Sequence, residues 1–209
     1  MPKISNIEYK RFIEEGYINI VDRTEFSAML ERLKHPQIKQ ARALFILLYY
    51  SGRRPSEILQ LKAENLKKEG RYIVMVVPTL KGGRFSTLML PHTNPHIKEL
   101  WEYCKTMFPE QWLFYSFRSN HKQRFRVKIK GIEELRQYDH LARRLYYWLK
   151  KWTGLPPYFF RHNRFSDMSD KGASLMDIVH AKGAKDPKSA MAYQHLSKKR
   201  AKEIAKFIK

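Results

Sequence analysis

Ser51-Gly52-Arg53-Arg54-Pro55-Ser56-Glu57-Ile58-Leu59 lies between two helical patterns and carries most of the information about the fold. Upstream of it, Gln37 to Tyr50 places Ala41, Leu44, Phe45, Leu47 and Leu48 at helical spacing, the pattern of a core helix. Gly52 ends that helix, because glycine accepts the left-handed backbone of a helix C-terminus, and Pro55 suits the first turn of the next one. Arg54 and Glu57 stand three apart on this second helix, a spacing that by itself most often makes a surface ion pair.

Outward from this segment the chain reads as mainly helical with a small antiparallel sheet. Thr24 to Lys34 forms a first helix with Thr24 as cap and Phe26, Met29, Leu30 and Leu33 on one face. Tyr72 to Val77 is β-branched and reads as a buried strand. Leu80-Lys81-Gly82-Gly83-Arg84 supplies a turn, and Phe85 to Leu90 returns as the second strand of a hairpin. Pro95 to Met107 is an amphipathic helix. Arg124 to Lys130 alternates apolar and cationic residues, as a strand with one basic face or an edge strand guarded by charge. Ile132 to Trp152 reads as a helix anchored by Leu135, Leu141, Leu145 and Leu149 and broken at Gly154 to Pro157. Further helices are expected over Arg161 to Lys171, Ser174 to Lys182, Pro187 to Gln194 and Ser197 to Lys209. Residues 1–23 form a short segment before one domain spanning 24–209.

Composition narrows the function classes. Of 209 residues, 43% are hydrophobic, enough for one sizeable core. Lys and Arg number 41 against 20 Asp and Glu, a net charge of +21 that favours a polyanionic partner, nucleic acid above all. Cys104 is the sole cysteine, which excludes an intramolecular disulfide framework and a cysteine-rich metal site. No apolar run approaches membrane-spanning length, and residues 1–15 lack the apolar centre of a secretory signal. A cytoplasmic, DNA-associated protein is expected.

Four segments together resemble the tyrosine recombinase (phage integrase) family. Ser51-Gly52-Arg53-Arg54-Pro55-Ser56-Glu57-Ile58 is similar to its Thr/Ser-Gly-x-Arg-x-x-Glu-Leu segment, with Arg54 as first catalytic arginine, Glu57 as its support and Arg53 at a position that is usually apolar. Lys81-Gly82 lies in a hairpin turn like the family's lysine turn. Tyr158-Phe159-Phe160-Arg161-His162 resembles the His-x-Leu-Arg-His box, which makes Arg161 the second catalytic arginine and puts Tyr158 where histidine is usual. Gly172, Gly183 and Tyr193 follow Arg161 at the family's spacing without gaps, so Tyr193 aligns with the nucleophile. Ala184 stands where His or Trp usually follows the glycine, and Lys182, Lys185 or His180 are candidate substitutes.

The resemblance implies a tyrosine recombinase catalytic-domain fold, α+β and mainly helical. It also implies transesterification at a DNA phosphodiester through a 3′-phosphotyrosine intermediate. Free tyrosine has a pKa near 10, so deprotonation at pH 7 costs about 4 kcal/mol that the site must offset. Arginine forks suit the charge developing on phosphate oxygens, and Lys81 on a turn can protonate the departing 5′ oxygen. Tyr158 can donate a hydrogen bond to phosphate; His162, Glu57, Lys182 and Lys185 would support the site. No metal and no cofactor is expected, because the covalent link conserves the bond energy.

Double-stranded DNA is the implied partner, gripped through Lys122, Arg124, Arg126, Lys128, Lys130 and Lys188. The chain is expected to assemble on DNA as a homo-oligomer, a tetramer, and can be a monomer in solution. Two other readings share the fold: a DNA-binding protein with weak or lost catalysis, motivated by Tyr158 and Ala184, and a type IB topoisomerase-like relaxing enzyme.

Overall fold

A computed structural model describes residues 21–33, 38–78, 85–114, 125–129, 132–136, 148–184, 186–191 and 193, the two segments between 125 and 136 by backbone alone. The first helix, α1 (Arg23–Glu31), is capped by Asp22 rather than Thr24: the Asp22 carboxylate accepts the Glu25 N–H at 2.8 Å. Asp22 is the better-placed oxygen because its backbone is extended while Thr24 is already inside the first turn. Helix α2 (Ile38–Ser51) is buried on almost every side, from Gln40 and Ala41 through Leu48, which makes it the central element.

Gly52 ends α2 at φ +60°, and Pro55 opens the short α3 (Pro55–Ile58), both as the local chemistry predicts. The sheet is a meander of three antiparallel strands, β1 (Leu66–Glu69), β2 (Tyr72–Pro78) and β3 (Phe85–Pro91). β1 went unread in the sequence because Lys67, Lys68 and Glu69 are exposed and leave no alternating pattern. β2 differs from a fully buried strand: Ile73, Met75 and Val77 face the core, while Tyr72, Val74 and Val76 alternate with them. Residues 79–84, with the expected turn, lie outside the described residues.

Helix α4 (Pro95–Cys104) is capped by Asn94 and stops before Met107. It is joined to α2 by Arg42, whose guanidinium forks onto both Glu99 oxygens, the Nη2–Oε2 contact at 3.0 Å. Next come β4 (Phe125–Ile129) and β5 (Ile132–Arg136), paired antiparallel. The strand expected from the alternation around Val127 is present, but Ile132 to Arg136 is a strand and not the start of a helix. An isolated strand must satisfy its backbone polar groups, and the nearest partner in the chain sets Glu133 opposite Lys128. Helical structure resumes at 148–153 and ends where Gly154 takes φ +73°.

Helix α5 (Pro157–Asp170) begins four residues earlier than the sequence pattern suggested, since Pro157 fits a first helical position. It forms a wall shared by two apolar clusters. Phe159 and Phe160 join the main core, with Phe160 edge-on to Phe45 of α2 at 5.0 Å between ring centroids. Phe165 belongs to a smaller cluster with Ile178, Val179, Ala190 and Tyr193. That cluster is closed by α6 (Leu175–Lys182), which the sequence placed from Ser174 and which Ser174 caps, and by the short α7 (Lys188–Met191). Residues 194–209, including the expected last helix, lie outside the described residues. Among the described residues no helix is long and apolar enough to cross a membrane.

Candidate active site

Two adjacent turns of chain, the Gly52–Arg54 loop and the first turns of α5, bring the site together. Arg54 precedes α3, and Glu57 on that helix grips it twice: Glu57 Oε2 accepts the Arg54 backbone N–H at 3.0 Å and Oε1 accepts from Nη1 at 2.7 Å. Glu57 is wholly buried, so the pairing is not the surface pair that the spacing alone would favour. Burial by itself would lower the Arg54 pKa; the Glu57 hydrogen bond and charge, with Tyr158 adding, raise it above the ordinary value. Arg54 therefore stays cationic, with its side chain 23% exposed.

Arg161 sits one helical turn after Tyr158 on α5, which puts both on one face. It is 4% exposed, and its Nη1 donates to the Gly52 carbonyl at 2.7 Å. The guanidinium lies over the Phe165 ring, 4.9 Å from the centroid. Burial and the like charge of Arg54 lower its pKa, while Tyr193, Glu57 and Tyr158 act the other way. Glu57 and Tyr158 thus act on both arginines. Arg161 thus links the loop that carries Arg54, through the Gly52 carbonyl, to Tyr193, whose ring packs on the same Phe165.

Tyr193 follows α7 and is 5% exposed. Its ring packs edge-on against Phe165 at 5.4 Å, and the Lys182 ammonium lies 4.9 Å from its centroid. Lys182 also donates to the Ser189 carbonyl, which ties the end of α6 to α7 and so positions the tyrosine. The Tyr193 hydroxyl stands 2.8 Å from His162 Nδ1. Of the three substitutes considered for the residue at 184, Lys182 reaches the Tyr193 ring and His180 is exposed, while Lys185 lies outside the described residues. Ala184 itself completes the helix stop: Gly183 takes φ +62° and the Ala184 N–H donates to the Val179 carbonyl at 3.1 Å.

Sequence reasoning missed the burial of Arg53. Its side chain is 0% exposed, donates through Nη2 to the Ser86 hydroxyl on β3, and leaves Nε and Nη1 without hydrogen-bond partners. Its one signal was a charge at a position that resembles an apolar one. Of the expected DNA contacts, Lys188 is exposed on α7, and Arg126 and Lys128 fall on β4; Lys122, Arg124 and Lys130, like Lys81, lie outside the described residues. Among the described residues no group of three or more His, Cys, Asp or Glu side chains gathers as a metal ion would need.

The family model of the Phage integrase family matches residues 19–200. Among solved structures, the chain is similar to the XerH site-specific recombinase bound to difH substrate in a pre-cleavage complex, at 19% identity and TM-score 0.59 over 100% of this chain and 55% of that one. It is similar to the XerA recombinase at 17% identity and TM-score 0.63, covering 92% of this chain and 65% of the other. A Tn1549 transposon integrase in complex with circular intermediate DNA matches at 16% identity and TM-score 0.52, over 91% and 67%. The chain thus spans about half to two thirds of the length of these proteins, and at such identities the likeness speaks to the fold. A search of curated proteins gave no match.

Proposed function

The chain belongs to the Phage integrase family, the tyrosine recombinases, and on that premise we propose that it cleaves and rejoins DNA strands through a 3′-phosphotyrosine intermediate. The observation that carries this reading is the position of Arg161, hydrogen-bonded to the loop that presents Arg54 and lying on the Phe165 ring that also packs against Tyr193.

In this reading a scissile phosphate sits against Arg54 and Arg161, whose guanidinium groups stabilise charge on the non-bridging oxygens. Tyr193 attacks phosphorus in line, and the P–O5′ bond breaks. Lys81 protonates the departing 5′ oxygen, and Tyr158 donates a hydrogen bond to a phosphate oxygen. Glu57 holds Arg54; Lys182 and Lys185 support the tyrosine segment. A 5′ hydroxyl from a partner strand then reverses the step. The covalent link conserves the bond energy, so no nucleotide, metal or other cofactor takes part.

Double-stranded DNA is the substrate, held through Lys122, Arg124, Arg126, Lys128, Lys130 and Lys188 by phosphate contacts that give affinity without sequence information. XerH and the Tn1549 integrase were solved bound to DNA, which supports that partner. Assembly on DNA is as a tetramer, a state compatible with a monomer in solution.

The test is a nicked suicide duplex, from which the short fragment carrying the freed 5′ hydroxyl diffuses away. A covalent protein–DNA adduct that survives denaturation is expected from the wild type and not from Tyr193→Phe. An adduct retained by Tyr193→Phe overturns the assignment of the nucleophile. Ala184 and Tyr158 favour a second reading, a DNA-binding protein of the same fold without catalysis; a complete lack of adduct alongside DNA binding selects it. Relaxation of a supercoiled plasmid without exchange between duplexes selects the topoisomerase-like activity.

A further inference from the structure

We propose that His162 is the general base of the strand-transfer step, receiving the Tyr193 phenolic proton on the Nδ1 that stands 2.8 Å from the hydroxyl. This rests on the strand-transfer reading above and adds to it the one proton transfer that the reading left unassigned.

The chemistry of the described site residues favours the imidazole. Arg161 on α5 and Arg54 before α3 are guanidinium ions with no lone pair to offer. Lys182 on α6 is an ammonium that already donates to the Ser189 carbonyl and lies against the face of the Tyr193 ring. Tyr158 is itself a phenol, with a ring centroid 6.4 Å from that of His162. Glu57 is committed to both the backbone and the side chain of Arg54. The imidazole of His162 stands within hydrogen-bond reach of the Tyr193 hydroxyl and carries a ring nitrogen able to take up its proton.

The position is also suited to the task. His162 follows Arg161 directly on α5, so a single rigid helix carries both a phosphate-binding arginine and the base. Nδ1 accepts only in the tautomer with the proton on Nε2. The Tyr193 O–H bond breaks as the O–P bond forms and the proton passes to Nδ1, giving an imidazolium. The P–O5′ bond breaks, and the 5′ oxygen takes its proton from Lys81. In rejoining, the incoming 5′ hydroxyl returns a proton to Lys81, and the imidazolium returns its proton to the phenol oxygen. Both steps balance.

His162→Asn separates a base from a positioning residue, because the asparagine carbonyl can accept the same hydrogen bond and cannot be protonated. With the suicide duplex, the wild-type adduct rate is expected to fall on the acid side of neutrality as the imidazole is protonated. His162→Asn is expected to be about 100-fold slower at neutral pH, to lack that acid limb, and to unfold at a similar temperature. His162→Ala is expected to be accelerated by added imidazole. A readout without DNA uses tyrosine labelled with 13C at Cζ, the Tyr193 signal being identified by its loss in Tyr193→Phe. That signal should titrate with the imidazole in the wild type and lose the inflection in His162→Asn. A wild-type adduct with rate and acid limb retained in His162→Asn overturns the base while leaving the strand-transfer reading intact. No wild-type adduct at all overturns that reading and the base with it, whatever the spectrum shows.

Discussion

Arg161 Nη1 donates to the Gly52 carbonyl across 109 positions of sequence. Gly52 lies two residues before Arg54, so the second arginine of the site is hydrogen-bonded to the loop that carries the first. A buried charge-assisted hydrogen bond of this kind fixes geometry as well as contributing energy. It couples the two cations, whose mutual repulsion would otherwise drive them apart.

Arg161→Lys tests that coupling. An ammonium can reach either the Gly52 carbonyl or a phosphate, but it cannot present a planar fork to both. Adduct formation on the suicide duplex is expected to fall about 100-fold or more, with cooperative unfolding retained. A loss of only a few-fold would show that the fork geometry is not what matters.

Gly52→Ala is expected to destabilise the fold by about 2 kcal/mol or more. At φ +60° an alanine is strained, and its Cβ would meet Arg164 Cγ at 3.0 Å and Phe165 Cζ at 3.1 Å. For a chain of this size that corresponds to a melting temperature lower by about 5 °C. Scanning calorimetry reads it directly, and an unchanged melting temperature would contradict the packing described for the loop.

Arg53→Met is expected to stabilise the protein by on the order of 1–3 kcal/mol. Burial pushes the Arg53 pKa down to about 10, with the Glu57 charge acting against that and Arg161 and Arg54 acting with it. A cation whose pKa is lower folded than unfolded opposes folding at every pH below about 10, and the opposition fades only as pH rises beyond that value. The melting-temperature advantage of Arg53→Met should therefore be constant from about pH 6 to pH 9. A variant less stable than the wild type would show that the Ser86 bond outweighs the burial of charge.

Binding to duplex DNA should weaken steeply with salt. With a net charge of +21, counterion release dominates the expected affinity. Fluorescence anisotropy with a labelled duplex should show Kd rising about 1,000-fold between roughly 50 and 200 mM monovalent salt. A flat salt dependence would remove phosphate contacts as the basis of binding.

Features with a local cause were legible in the chain. Gly52, Pro55 and Ser174 mark helix ends because backbone conformation and a nearby N–H decide them, and the apolar period of Leu44 to Leu48 marks a buried helix. Where two local candidates competed, the choice between them was not legible: Asp22 caps α1 although Thr24 is the same kind of residue. The helix expected from Ile132 failed for a related reason. Leu135 fits a helical stripe, yet β4 needs a partner, and pairing is a property of two segments together.

By itself the order of residues determined the class of fold and marked the candidate reactive groups, since helix periods, glycine and proline stops and the Arg54, Arg161 and Tyr193 landmarks are all written along one dimension. Tertiary structure alone decided which atoms meet: Arg161 on the Gly52 carbonyl, Lys182 over the Tyr193 ring, and Tyr193 against His162. It also decided that Arg53 is buried while its neighbour Arg54 stays half-buried and pairs with Glu57. The reason is physical: contacts between residues tens of positions apart depend on how two apolar clusters pack against the shared face of α5, and no local propensity encodes that packing.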